Sequence, residues 1–132
     1  TAVGPLDVRL RHGVFHARAR TPELGPDEFL EAAYSLGGEQ CTVTHSSTDG
    51  LLEISAAGVS KATGLALVAG QVGVAAADVV AFGDMPNDLP MLRWAGLGIA
   101  VANAHSAVQE EADEITASND DDGAAKGLAP RA

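Results

Sequence analysis

A single cysteine, Cys41, occurs in 132 residues. A lone cysteine excludes an internal disulfide and offers no zinc-ligand pattern. A reducing, cytoplasmic setting fits that usage. Basic residues are also scarce: eight Lys and Arg against eighteen Asp and Glu, for a net charge of −10 and a pI near 4.5. That balance argues against nucleic acid and anionic membrane surfaces as partners. No apolar run approaches the roughly 20 residues of a membrane span, and no signal peptide is visible. The chain begins at Thr1 rather than Met, which suggests a trimmed or excised piece. No nucleophile elbow or base–orienter arrangement accompanies His45, Ser46 and Ser47. These read as a strand end and turn.

Apolar residues make up 46% of the chain, which argues against disorder. The length suits one domain or pieces of two. Leu6 to Arg20 alternates with period two around His12-Gly13. That predicts a hairpin in which Leu10 faces Phe15, Val8 faces Ala17 and Asp7 faces Arg18. Four of the eight basic residues, Arg9, Arg11, Arg18 and Arg20, cluster there and read as a solvated face. His12 and His16 lack carboxylate or cysteine partners, so they make a poor metal site. Pro26, with Asp27 and Glu28 behind it, opens a helix carrying Phe29, Leu30, Ala33 and Leu36, which Gly37-Gly38 ends. Gln40 to Ser46 reads as a strand and Ser47 to Gly50 as a turn. The next strand has Leu52 and Ile54 on one face.

At Ala56-Ala57-Gly58 the pattern changes to alternating helices and strands, which implies a parallel sheet. The predicted organisation is therefore residues 1–56 as one α+β unit and 57–132 as an α/β unit. In the second, Ser60 caps a helix to about Val72, with Leu65, Val68 and Val72 as its buried stripe. Strands follow near 79–83, 97–102 and 115–117. Helices are expected near 89–95, 106–112 and 122–128. Asp120-Asp121-Asp122 lacks the ligand spacing of a calcium loop and reads as an acidic loop before the last helix.

The chemistry concentrates in Val79 to Leu89, VVAFGDMPNDL. An apolar strand ends there in Gly83-Asp84, and Asn87-Asp88 opens a helix. Ligands of open α/β sheets bind at the carboxyl ends of strands. Carboxylates at that edge suit Mg²⁺, which takes a few of them together with waters and phosphate oxygens. Lys61 sits in the first turn of its helix, where free backbone N–H groups already favour an anion. A cation for phosphate oxygens and acids for a metal are the electrostatic parts of phosphoryl transfer.

Gly58-Val59-Ser60-Lys61, then GDMPND, AGLGIAVANA and ASNDDDGAA, occur in that order. The chain resembles the carboxyl-terminal part of haloacid dehalogenase-like hydrolases, specifically the Cof-type sugar-phosphate phosphatases. The resemblance is strong from about Ile54 to Leu128. It implies an α/β fold: a partial Rossmann-like core of three parallel strands with helices, preceded by part of an α+β cap domain. It implies Mg²⁺ as cofactor and a phosphorylated small molecule as substrate. Lys61 matches the lysine that steadies the nucleophile and phosphoryl group, and Asp84 the carboxylate that ligates the metal. Asp88 matches the second acid of that motif, expected with Asp84 at the metal and with Lys61 in catalysis, where it orients the metal's surroundings or the lysine. Asn87 matches a polar residue beside metal and phosphate, and Asn103 a loop residue near the site.

The family's nucleophile, an aspartate in an Asp-x-Asp-Gly-Thr-type motif, is absent from these 132 residues. Thr48-Asp49-Gly50 has only the tail of such a motif. The expectation is a carboxyl-terminal fragment, inactive alone because the covalent step needs that nucleophile. A non-catalytic scaffold that kept the fold and one half of a split enzyme are the alternatives. Mutase and dehalogenase chemistries share the fold. The strand at 79–83 would have a bare edge, a pairing hazard. A second copy or a companion segment is expected to cover it.

Overall fold

The computed structural model describes residues 16–37, 41–45 and 50–129. The first limb of the expected hairpin and the Ser46–Asp49 turn lie outside the described residues.

Among the described residues two three-stranded sheets organise the chain. The first is antiparallel, in the order β1–β3–β2, with β1 spanning His16–Arg20, β2 Cys41–His45 and β3 Leu51–Ala56. Its register sets Ala17 against Ile54, and Val43 against the same Ile54. Alternation then puts Ala17, Ala19, Val43, His45, Leu52 and Ile54 on one face. Leu52 and Val43 are buried there. Helix α1, Pro26–Gly37, packs on this sheet, and Tyr34 donates its hydroxyl proton to the Val43 carbonyl at 2.9 Å. Among the described residues Arg18 pairs with Glu53 on β3, at 3.4 Å, and the expected contact with Asp7 lies outside them.

The chain crosses to the second sheet through Ala57–Ser60. Thr42 Oγ1 accepts the Gly58 N–H at 3.1 Å. Helix α2 spans Lys61–Val72. It begins where expected because Ser60 Oγ accepts the Thr63 N–H while Thr63 Oγ1 accepts that of Ser60. It stops at Gly73, whose φ of 74° is the left-handed conformation a helix C-terminus favours.

The second sheet is parallel, in the order β4–β5–β6: Val80–Gly83, Leu97–Ala100 and Glu114–Ile115. Helix α3, Leu89–Trp94, connects the first two strands, and α4, Ser106–Glu111, the last two. Helix α5, Gly123–Gly127, closes the described chain. Central β5 reads as a continuous apolar run because both its faces are covered: Gly98, Ile99 and Ala100 are all buried. Ala81, Leu92, Ala100, Val101, Ala104 and Val108 form the core, with Leu89, Met91, Ala95 and Ala112 against it.

The expected buried stripe of α2 is overturned. Val68 and Val72 are 55% and 68% exposed, Leu65 is half-buried, and Ala69 is the one buried residue of that helix. The apolar periodicity specifies a face that something should cover, and no described element packs on it. Among the described residues no helix is long and apolar enough to cross a membrane.

Candidate active site

The carboxyl end of β4 and the amino end of α2 meet through one buried side chain, Asp88. It lies in a 3₁₀ turn at Pro86–Asp88, closed by the Asp88 N–H donating to the Met85 carbonyl at 2.8 Å. The turn folds the carboxylate back under the strand end. Its Oδ2 accepts the backbone N–H groups of Asp84 at 3.0 Å and Met85 at 3.2 Å. Its Oδ1 accepts from Lys61 Nζ. Asp88 is only 3% exposed, whereas half of the Lys61 side chain reaches solvent.

Both Asp88 oxygens are therefore engaged by protein. Burial pushes its carboxyl upward, but the Lys61 ammonium and the two backbone amides outweigh that and hold it below the ordinary carboxylate range. Asp84 behaves oppositely. Partial burial raises it first and the neighbouring Asp88 charge second, with Lys61 opposing. The pair thus holds one charge matched by lysine and a second, on Asp84, at the exposed rim.

Asn87 Oδ1 is buried and has no hydrogen-bond partner. Asn87 and Lys61 together line a cleft of about 490 Å³ between the two sheets. The facing wall is the polar side of the antiparallel sheet, with His16, Thr42, Thr44, Glu53 and Ser55. An orphaned carbonyl oxygen, a carboxylate raised by partial burial and then by a like charge, and a nearby ammonium fit a hard cation with an anionic ligand. Asp84 would give the charged oxygen and Asn87 a neutral one.

Of the residues singled out from sequence, Lys61, Asp84 and Asp88 share one hydrogen-bonded network, and Asn87 sits in the same turn. Asn103 does not join it. Its Oδ1 accepts from Ser118 Oγ at 3.1 Å and the Asn119 N–H at 3.0 Å, bracing the loop after β5 against the acidic turn. Sequence reading missed His105. Its backbone N–H donates to the Asp84 carbonyl at 2.8 Å, and its ring sits near His45 and Asp27. These side chains come from separate elements and follow no spacing that would reveal them.

The family model for haloacid dehalogenase-like hydrolases matches residues 11–128. The chain belongs to that family. The ordered motifs and the structural neighbours place the chain in the Cof-type branch of that family. It is 49% identical over 77 residues to the stress response protein YhaX of Bacillus subtilis, covering 58% of this chain and 27% of that protein. It is 41% identical over 90 residues to YcsE, a 5-amino-6-(5-phospho-D-ribitylamino)uracil phosphatase of the same organism, covering 68% of this chain and 36% of that one. Among solved structures it resembles the Bacteroides thetaiotaomicron phosphatase BT1666, with a TM-score of 0.76 and 30% identity over 96% of this chain and 45% of that one. The chain spans about a third of the length of these curated relatives.

Proposed function

We propose that this chain forms the lysine- and metal-bearing part of a Mg²⁺-dependent phosphatase site for small phosphorylated metabolites, with the nucleophilic aspartate supplied from outside these 132 residues. One observation carries the reading: Asp88 grips Lys61 with one oxygen and the backbone of Asp84 with the other. The positive charge and the second carboxylate are thereby fixed to one rim. Residues 1–56 act as a cap and 57–132 as the core, and the cleft between them receives the substrate. Lys61 would neutralise the phosphoryl oxygens as charge moves onto them, and Asp88 keeps the ammonium aimed. Asp84, with Asn87, would hold the metal. Bound Mg²⁺ would supply further neutralisation of the transferring group. The supplied aspartate would attack phosphorus and release the alcohol, and water would then cleave the aspartyl-phosphate. The similarity to YcsE, named for a ribityl phosphate substrate, favours a phosphorylated sugar or polyol.

Calorimetric titration with Mg²⁺ tests the site. The wild-type chain binds saturably at pH 7 and Asp84→Asn does not. Binding requires the charged form of Asp84, whose titration is raised, so affinity falls with acidification from above the ordinary carboxylate value of about 3.9. The chain alone should not hydrolyse a chromogenic phosphate ester. Adding a polypeptide that carries the Asp-x-Asp strand should restore turnover in the wild type and not in Lys61→Ala. Wild-type and Asp84→Asn chains giving the same Mg²⁺ titration would refute the assignment.

We further propose that a second copy or a companion segment covers β4. Among the described residues β4 pairs on one side alone. Val80 on that strand is 42% exposed, and Leu67 on α2 is 65% exposed. Sedimentation velocity should show self-association, or a monomer that takes up the complementing polypeptide. A monodisperse monomer indifferent to both would count against it.

A further inference from the structure

We infer that Asp27, His45 and His105 tie the antiparallel module to the loop that carries Asp84, making Asp27 and His105 positioning residues for that loop. The three side chains come from the first turn of α1, the end of β2 and the loop after β5. His45, 1% exposed, places Nε2 at 3.1 Å from Asp27 Oδ1. His105 places Nε2 at 3.6 Å from the same oxygen. The two rings meet edge to face, with centroids 5.6 Å apart.

The protonation of His105 follows from its surroundings. Its Nδ1 accepts the Ala107 N–H at 3.2 Å, so the ring proton of the neutral form resides on Nε2, facing Asp27. One carboxylate oxygen thus gathers imidazole groups from both modules. The other ring nitrogen of His45 is buried without a hydrogen-bond partner. Among the described residues Asp27 is therefore the hydrogen-bond partner that holds this buried ring. On the opposite side, the His105 backbone N–H reaches the Asp84 carbonyl. A continuous path of contacts runs from α1 to the strand end that bears the acids.

The donor atoms of the cluster lie within 4.8 Å of one another, a spacing zinc would accept. The Ala107 contact opposes that use. An imidazole that ligates through Nε2 carries its proton on Nδ1, and at His105 that proton would face a backbone N–H. The cluster is built as one hydrogen bond, His45 to Asp27, with His105 in close electrostatic contact with the same oxygen.

Asp27 is 70% exposed in its side chain, so replacing it leaves no cavity. Amide hydrogen exchange compares the wild-type chain with Asp27→Ala and Asp27→Asn. Asp27→Ala should speed exchange of the His105 amide by roughly two- to five-fold, the range of a weak, half-exposed charged contact. Asp27→Asn keeps an oxygen acceptor and should stay near wild type, while β5 amides are unchanged in both variants. Two-bond proton–nitrogen correlations of the wild-type rings should show the His105 proton on Nε2. Unchanged His105 exchange in Asp27→Ala, equal acceleration in both variants, or one equivalent of zinc held by wild type and lost in His105→Ala would each overturn the inference. It depends on contact geometry alone and stands apart from the phosphatase reading.

Discussion

Asp88→Ala should lower the unfolding free energy by about 3 kcal/mol, read from urea denaturation at pH 7. Asp88 is 3% exposed and has three donors on its two oxygens. Stripping a buried backbone N–H of its acceptor costs about 1–3 kcal/mol, and Asp84 and Met85 would both lose theirs. Water can reach the exposed Asp84, which trims that cost. Lys61 contributes less, because its half-exposed side chain is resolvated once released. Asp88→Asn retains an acceptor but no charge and should fall between the two.

The same residue sets an acid limit. Its folded titration lies below the ordinary value, so the stabilisation is complete above about pH 3.9. It disappears as pH falls through the lower folded value. Wild type should therefore lose more stability than Asp88→Ala across that window. Asp84 has the opposite sign: its folded titration is raised, so its protonation on acidification relieves repulsion and offsets part of the loss. A variant within about 0.5 kcal/mol of wild type, the usual range of innocuous surface changes, would mean that Asp88 is not the anchor described.

Gly83→Ala should cost about 2–3 kcal/mol through overpacking. A Cβ there would lie 2.7 Å from Asp88 Cβ and 3.1 Å from Leu92 Cδ1. Neither neighbour yields easily. Asp88 is held by its three donors, and Leu92, 2% exposed, fills the core. The strand end would have to shift, taking Asp84 with it. Calorimetry should show a melting temperature lower by roughly 5–15 °C, together with weaker Mg²⁺ binding. An unchanged melting temperature would show that β4 and the 3₁₀ turn have slack that the close packing denies.

Much of the architecture was legible because local rules acted alone. Pro26 with its acidic first turn, Ser60 as cap and Gly73 as stop placed α1 and α2 to within a residue. The apolar run at Val79–Phe82 marked the strand at Val80–Gly83, but not its environment: Ala81 and Gly83 are buried while Val80 is 42% exposed. Shorter elements moved at their ends: β5 stops at Ala100, and β6 is Glu114–Ile115, sharing only Ile115 with the expected 115–117. The stripe on α2 failed for a different reason. Periodicity records which face wants burial, and only a neighbour decides whether burial occurs. The motif residues were readable as types from their spacing, while their division of labour was implied only by the family resemblance. Asp84 and Asp88 are equivalent as letters. The turn at Pro86 gives one of them both backbone amides and the lysine.

What the amino-acid order determined by itself was the class of the fold, the helix limits and the residues that carry charge to one strand end, since capping, alternation and motif spacing act over a few positions. The tertiary structure decided which acid is buried against Lys61, which faces the rim, and that Asp27, His45 and His105 meet at all. Those outcomes depend on contacts between residues 18 to 78 positions apart. No local pattern encodes such distances; tertiary packing sets them, within the α/β unit for Lys61 and Asp88 and between the two modules for Asp27, His45 and His105.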